Sequence, residues 1–94
     1  MVLRYTDRAA ADLEAAFSWY ERQRAGLGFD FLDCVEESVK YILSMPHGYQ
    51  AVHSNFRRCT IKRFPFSIFY TVETDGIIVH AVFDNRQNPD KQPQ

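Results

Sequence analysis

The sequence predicts an α+β fold of order β-αα-βββ, an antiparallel helical hairpin packed on one face of a twisted, mainly antiparallel sheet. Three observations predict it. Apolar residues recur every three or four positions from Ala9 to Ile42, the period drops to two after Tyr49, and helices and strands therefore occupy separate parts of the chain. With 94 residues, 46% hydrophobic and 15% aromatic, the chain is one domain, able to bury roughly 60% of its unfolded surface.

Each element has its own local reason. Val2-Leu3-Arg4-Tyr5 is a short, partly apolar run ahead of Thr6-Asp7, either of which can cap a helix, so it reads as a first strand. From Arg8 to Arg24, Ala9, Leu13, Ala16, Phe17 and Tyr20 form one apolar face, while Asp12, Glu14, Glu21 and Arg22 fall mostly elsewhere. The spacing puts Tyr20 in the core. Ala25-Gly26-Leu27-Gly28 breaks the pattern and reverses the chain. A second helix follows through Leu32, Val35, Val39 and Ile42 to Met45, where Pro46 ends it by disfavouring helix at the preceding residue.

Beyond Pro46-His47-Gly48-Tyr49, three strands are predicted. Arg57–Arg63 alternates Cys59 and Ile61 with Arg58, Thr60 and Lys62, giving one apolar and one charged face. Phe66–Val72 sends Phe66, Ile68, Tyr70 and Val72 to one side and Ser67, Phe69 and Thr71 to the other. Ile77–Phe83 follows Asp75-Gly76, a strong hairpin signal because glycine supplies a positive φ, and strict alternation groups His80 with Ile78 and Val82. This architecture leaves the second sheet face open. Residues 1–88 are expected to form the domain and the polar residues 89–94 a flexible tail, fraying from about Asn88.

The formal charge of −1 excludes a uniformly basic nucleic-acid binder, but it hides a division. Residues 7–40 carry eight acidic and four basic side chains, whereas Arg57, Arg58, Lys62 and Arg63 fall within seven positions. A basic strand facing away from an acidic helical layer is predicted. Its cations interleave with aromatics, the mixture that anchors a protein partner or binds a phosphate backbone. No cofactor or metal is expected. Cys34 and Cys59 lack a ligand spacing and read as reduced packing residues, and His47 and His53 have no Cys or carboxylate at metal spacing. Glu36 and Glu37 point about 100° apart on a helix and are read as solvated. Without an apolar leader or spanning segment, the expected location is cytoplasmic, with no membrane contact.

Several fragments in order resemble the RelE/ParE superfamily of toxins from bacterial type II toxin–antitoxin systems. They are Ala11-Asp12-Leu13-Glu14-Ala15, Trp19-Tyr20-Glu21-Arg22-Gln23, Gly26-Leu27-Gly28 with Phe31 and Val35, and Pro46 with Tyr49. The second half adds Arg57-Arg58, Ile61, Arg63 to Tyr70, and Ala81-Val82-Phe83 leading to Asn88-Pro89. The resemblance implies the same fold, a toxin function and a cognate antitoxin as partner. Members resembling RelE cut mRNA on the ribosome; members resembling ParE poison DNA gyrase without hydrolysing anything themselves. Asp84 and Gln87 stand where many relatives carry His and Arg, and no closing aromatic follows Pro89, so the resemblance is closer to ParE-like members. The expected function is a gyrase-poisoning toxin, with a ribosome-dependent mRNA endonuclease and a non-toxic antitoxin-binding relative as alternatives. No catalytic residue is assigned. The candidate basic face is Arg57, Arg58, Lys62, Arg63 and Arg86, and the candidate partner-binding aromatics are Trp19, Phe64, Phe66 and Phe69.

Overall fold

The structure, a computed structural model, describes residues 2–93. Strand β1 (Val2–Tyr5) leads into helix α1 (Asp7–Gln23) and helix α2 (Leu27–Ser44), followed by β2 (Ala51–His53), β3 (Phe56–Thr60), β4 (Phe66–Glu73) and β5 (Gly76–Asp84). The sheet order is β1-β5-β4-β3-β2, parallel between β1 and β5 and antiparallel elsewhere. The α+β class and the helix–sheet layering agree with the sequence. Strand β2 is an addition, a three-residue exposed edge paired with β3.

Helix α1 starts where a side chain can satisfy its first amides. The Ala9 N–H donates to Thr6 Oγ1 at 3.1 Å, and the same hydroxyl donates to the His80 carbonyl at 3.1 Å, tying the helix start to β5. Helix α2 starts at Gly26, whose φ of 91° makes the reversal. Its first amides are met from α1, since Glu21 accepts from Gly26 N at 3.0 Å and Gly28 N at 2.9 Å. A Cβ at Gly28 would lie 2.7 Å from the Phe17 carbonyl oxygen, so the absence of a side chain sets how closely the helices approach.

Between hairpin and sheet, Phe31 is fully buried, with ring centroids 5.4 Å from Tyr20, 5.3 Å from Phe64 and 5.0 Å from Phe66. Tyr70, also fully buried, donates its hydroxyl proton to the Pro46 carbonyl at 2.7 Å. Burial pushes the Tyr70 phenol up to about 12.

Three expectations are corrected, and the tail is given its place. Strand β3 ends at Thr60, so Lys62 and Arg63 lie in the β3–β4 connection, where Arg63 takes a φ of 70° and the Ile61 amide donates to the Phe66 carbonyl. The ladder slips by one residue between Phe69↔Ala81 and Tyr70↔Val79, leaving His80 as the extra residue of a bulge. The phase reverses there. Val82 joins Ile77 and Val79 in the main core, while Ala81 and Phe83 turn to the other face. That second face is not open, because Phe69, Ala81 and Phe83 form a small buried cluster of their own. Finally, the polar tail folds back on the domain: Pro89–Lys91 is a 3₁₀ turn, Asn88 Oδ1 caps it by accepting from Asp90 N, Arg8 Nη2 donates to the Lys91 carbonyl at 2.7 Å, and Pro93 is buried. Hydrogen bonding anchors it where apolar side chains are lacking.

Candidate functional site

The basic cluster that is contiguous in sequence divides in space. Successive strand residues point to opposite faces, so Arg57 and Arg58 part company. Arg57 Nη1 donates to the Tyr49 carbonyl at 2.6 Å; Arg58 Nε donates to Ser67 Oγ at 3.2 Å, which in turn bonds Thr60 Oγ1 at 3.2 Å. Lys62 and Arg63 turn toward the helices rather than away from them. Lys62 Nζ lies 3.3 Å from Glu37, and Arg63 lies 3.7 Å from Asp30. Lys62 also sits 6.0 Å from the centre of the Tyr41 ring. The acidic hairpin thus neutralises half of the cationic run that was expected to face away from it.

Arg86 is held by its own neighbour. Its Nε and Nη2 donate to Asp84 Oδ1 and Oδ2 at 2.9 and 2.8 Å, and its backbone amide adds a third bond at 2.9 Å. The guanidinium holds the Asp84 carboxyl below the usual carboxylate range, and the carboxylate raises Arg86 in return.

Of the candidate aromatics, Phe64, Phe66 and Phe69 are buried and serve as core; Trp19 is 44% exposed and packs edge-on against Tyr20, 5.0 Å away. Trp19 stands at the rim of a groove of about 440 Å³ between α1, the end of β5 and the tail. Asp12 sits inside it, accepting the Val82 amide at 3.0 Å with Arg8 at 3.8 Å. Burial pushes the Asp12 carboxyl up, against the opposing pull of that amide and of Arg8. The sequence reading placed Asp12 on the wet side of α1 and missed its role. The available signal was its position one turn after Arg8 and one turn before Ala15-Ala16, whose small side chains leave the space.

His80 is held on the sheet by Thr71 Oγ1 at 2.9 Å and the edge-on Phe56 ring at 5.0 Å. Burial lowers its pKa, opposed by Glu73. A lowered histidine pKa gives stability that is complete above the ordinary value near 6.5 and is lost as pH falls from there toward the folded-state value. Asp84 adds a loss only below the ordinary carboxylate range, whereas Asp12, whose pKa is raised, acts just above that range and with the opposite sign, gaining stability as pH falls. The melting temperature is therefore expected to be lower at pH 5.5 than at pH 7.5, and His80→Gln is expected to flatten that slope. An unchanged slope in the variant would assign the pH dependence elsewhere.

Among the described residues, no three His, Cys, Asp or Glu side chains converge as metal ligands, and no helix is long and apolar enough to cross a membrane. Residues 3–89 match the profile of a family described as the ParE toxin of the type II toxin-antitoxin system parDE. The chain belongs to the ParE toxin family. Among solved structures, a chain of the chromosomal ParDE TA system from P. aeruginosa superposes with a TM-score of 0.79 at 25% identity, covering 89% of this chain and 95% of that one. No curated protein sequence matches the chain. The family match covers both halves of the fold, so this ParE-family chain carries the hairpin, the β3–β4 cations and all of the groove's lining except Lys91 within the shared region.

Proposed function

We infer that this ParE-family chain arrests growth by contacting DNA gyrase, without hydrolysing a substrate, and that a cognate antitoxin neutralises it. Family membership supports a type II toxin, and the P. aeruginosa relative comes from a ParDE pair. The choice between gyrase contact and RNA cleavage rests on one observation: the candidate cations do not converge. Cleavage by 2′-hydroxyl attack needs cations gathered on one phosphate together with a base and an acid. Here Lys62, Arg63 and Arg86 are each paired to a carboxylate, and Arg57 and Arg58 lie on opposite faces of β3.

The decisive experiment adds the purified protein to a gyrase supercoiling reaction, alongside primer extension on cellular mRNA after its expression. Inhibited supercoiling at micromolar protein with intact mRNA is expected. Codon-positioned cuts with normal supercoiling would move the chain to the endonuclease reading, and expression without growth arrest would move it to a non-toxic antitoxin-binding relative.

A further inference from the structure

The helices cover one face of the sheet, yet the central strand is sealed on the other face as well. On β4, Ser67 is fully buried, Phe69 is 1% exposed and Thr71 3% exposed, and alternation turns all three away from the hairpin. Side chains of the flanking strands close over them. From β3, Arg58 stands opposite Phe69 and Thr60 opposite Ser67; from β5, His80 bonds Thr71 Oγ1 and meets the Phe56 ring edge-on.

Arg58 is held on this face with its charge unmatched. Ser67 Oγ accepts from Arg58 Nε at 3.2 Å and is itself bonded to Thr60 Oγ1 at 3.2 Å, so a desolvated hydroxyl with a fixed place in the sheet aims the guanidinium. Among the described residues, its Nη1 and Nη2 have no hydrogen-bond partner and no carboxylate within ion-pair distance. The neighbouring cations differ. Arg4 is paired with Asp75, Lys62 with Glu37, Arg63 with Asp30 and Arg86 with Asp84, while Arg57 is bonded to two carbonyls. Arg22, exposed on α1, is equally free of a carboxylate among the described residues, but no side chain orients it.

A half-buried guanidinium, oriented by a buried hydroxyl and left with two adjacent Nη donors, matches a planar carboxylate that accepts from both. The surrounding charge chooses between a carboxylate and a phosphate backbone. This face also carries Glu73 and the Arg4–Asp75 pair, whose charged atoms lie 3.6 Å apart, so its charges balance. A nucleic acid needs a run of cations to replace its counterions, and one guanidinium beside acidic groups does not supply it. A single acidic side chain on a protein surface needs only the one.

We propose that Arg58 anchors the gyrase contact, taking an aspartate or glutamate of gyrase in a two-bond pair on the helix-free sheet face, with the Phe56 and His80 rings at its rim. The proposal rests on the gyrase reading above and says which face and which residue meet the enzyme. Arginines seated among groups that exclude water are the side chains on which interface affinity concentrates.

The test measures supercoiling inhibition, and direct binding to DNA-free gyrase, for the full chain and three variants. Arg58→Gln can still bond Ser67 but loses the charge. It is expected to raise both the half-inhibitory concentration and the dissociation constant at least tenfold, with the melting temperature within a few degrees and antitoxin co-purification retained. Arg58→Lys keeps the charge without the planar fork and is expected to remain at least threefold weakened. Arg22→Gln makes the same change in net charge and is expected to leave both readings unaltered. Full inhibition by Arg58→Gln, or a loss matched by Arg22→Gln, overturns the anchor and leaves the gyrase reading standing. An effect confined to reactions containing DNA makes a phosphate the occupant and overturns the carboxylate. Loss of the antitoxin instead of gyrase reassigns the face to the antitoxin. An unaltered chain that neither binds nor inhibits gyrase overturns the gyrase reading itself, and this anchor with it.

Discussion

Phe31→Ala is expected to cost about 3–5 kcal/mol of folding stability, the range for truncating a buried phenylalanine. At roughly 0.05–0.15 kcal/mol per residue, a domain of this size has about 5–14 kcal/mol in total, so this one change removes a large share of it. The reason is position. Phe31 is the α2 side chain onto which Tyr20 of α1, Phe64 of the β3–β4 connection and Phe66 of β4 all converge, with every ring centroid within 5.4 Å. Alanine would leave a void that three separate elements would have to collapse into, and each is held by its own backbone bonds. The melting temperature should fall by at least about 12 °C at ~4–8 °C per kcal/mol, and urea unfolding should show a lower midpoint at unchanged slope. Phe31→Leu should recover more than half of the loss. A cost below about 1 kcal/mol for the alanine variant would mean that the aromatic cluster is not the centre of the core. Because Phe64 also anchors the loop carrying Lys62 and Arg63, the alanine variant should release those cations from Glu37 and Asp30 even where the domain remains folded.

The helices and the phase of β4 were legible in the sequence because they rest on period alone. Leu32, Val35, Val39 and Ile42 mark the buried side of α2, and the alternation from Phe66 to Val72 matches the faces observed. Strand β2 left no such trace, since Ala51, Val52 and His53 are all exposed and too few to alternate against anything. The bulge at His80 is a fact of register rather than of composition, so the alternation that correctly placed Ile77 and Val79 put Val82 on the wrong side. At the candidate site, adjacency in sequence was taken for adjacency in space. Arg57 and Arg58 are neighbours that a strand separates, whereas Lys62 and Glu37 are 25 positions apart and touch. Phe64, Phe66 and Phe69 looked like partner-binding aromatics because they interleave with cations, but a 94-residue chain needs most of its large rings for its own core.

Gly76 separates two explanations of one residue. The Asp75-Gly76 pair suggested a hairpin glycine with a positive φ, yet among the described glycines only Gly26 has one. Gly76 is instead already in β5, opposite Glu73 on one side and Val2 on the other, and an added Cβ would overlap the Val2 carbonyl oxygen and lie 3.1 Å from its carbonyl carbon. The obstacle is backbone, which cannot rotate away as a side chain can. Gly76→Ala is therefore expected to push β1 off β5 and to cost about 2–3 kcal/mol, as overpacking does where the neighbour has no room. The loss should propagate, because β1 delivers Thr6 to Val79 and to the start of α1. Amide exchange at Leu3, Tyr5 and Thr6 should quicken by an order of magnitude or more, while β4 and the β5 amides facing it stay protected. The discriminating variant is Gly76→Asn. Asparagine tolerates the left-handed region, so it would be spared if a positive φ were the requirement. Close approach to Val2 makes it at least as damaging as alanine, and equal or greater destabilisation by asparagine in parallel melts is the expected result. A stable asparagine variant beside an unstable alanine one would return Gly76 to the turn and leave the β1–β5 contact unexplained.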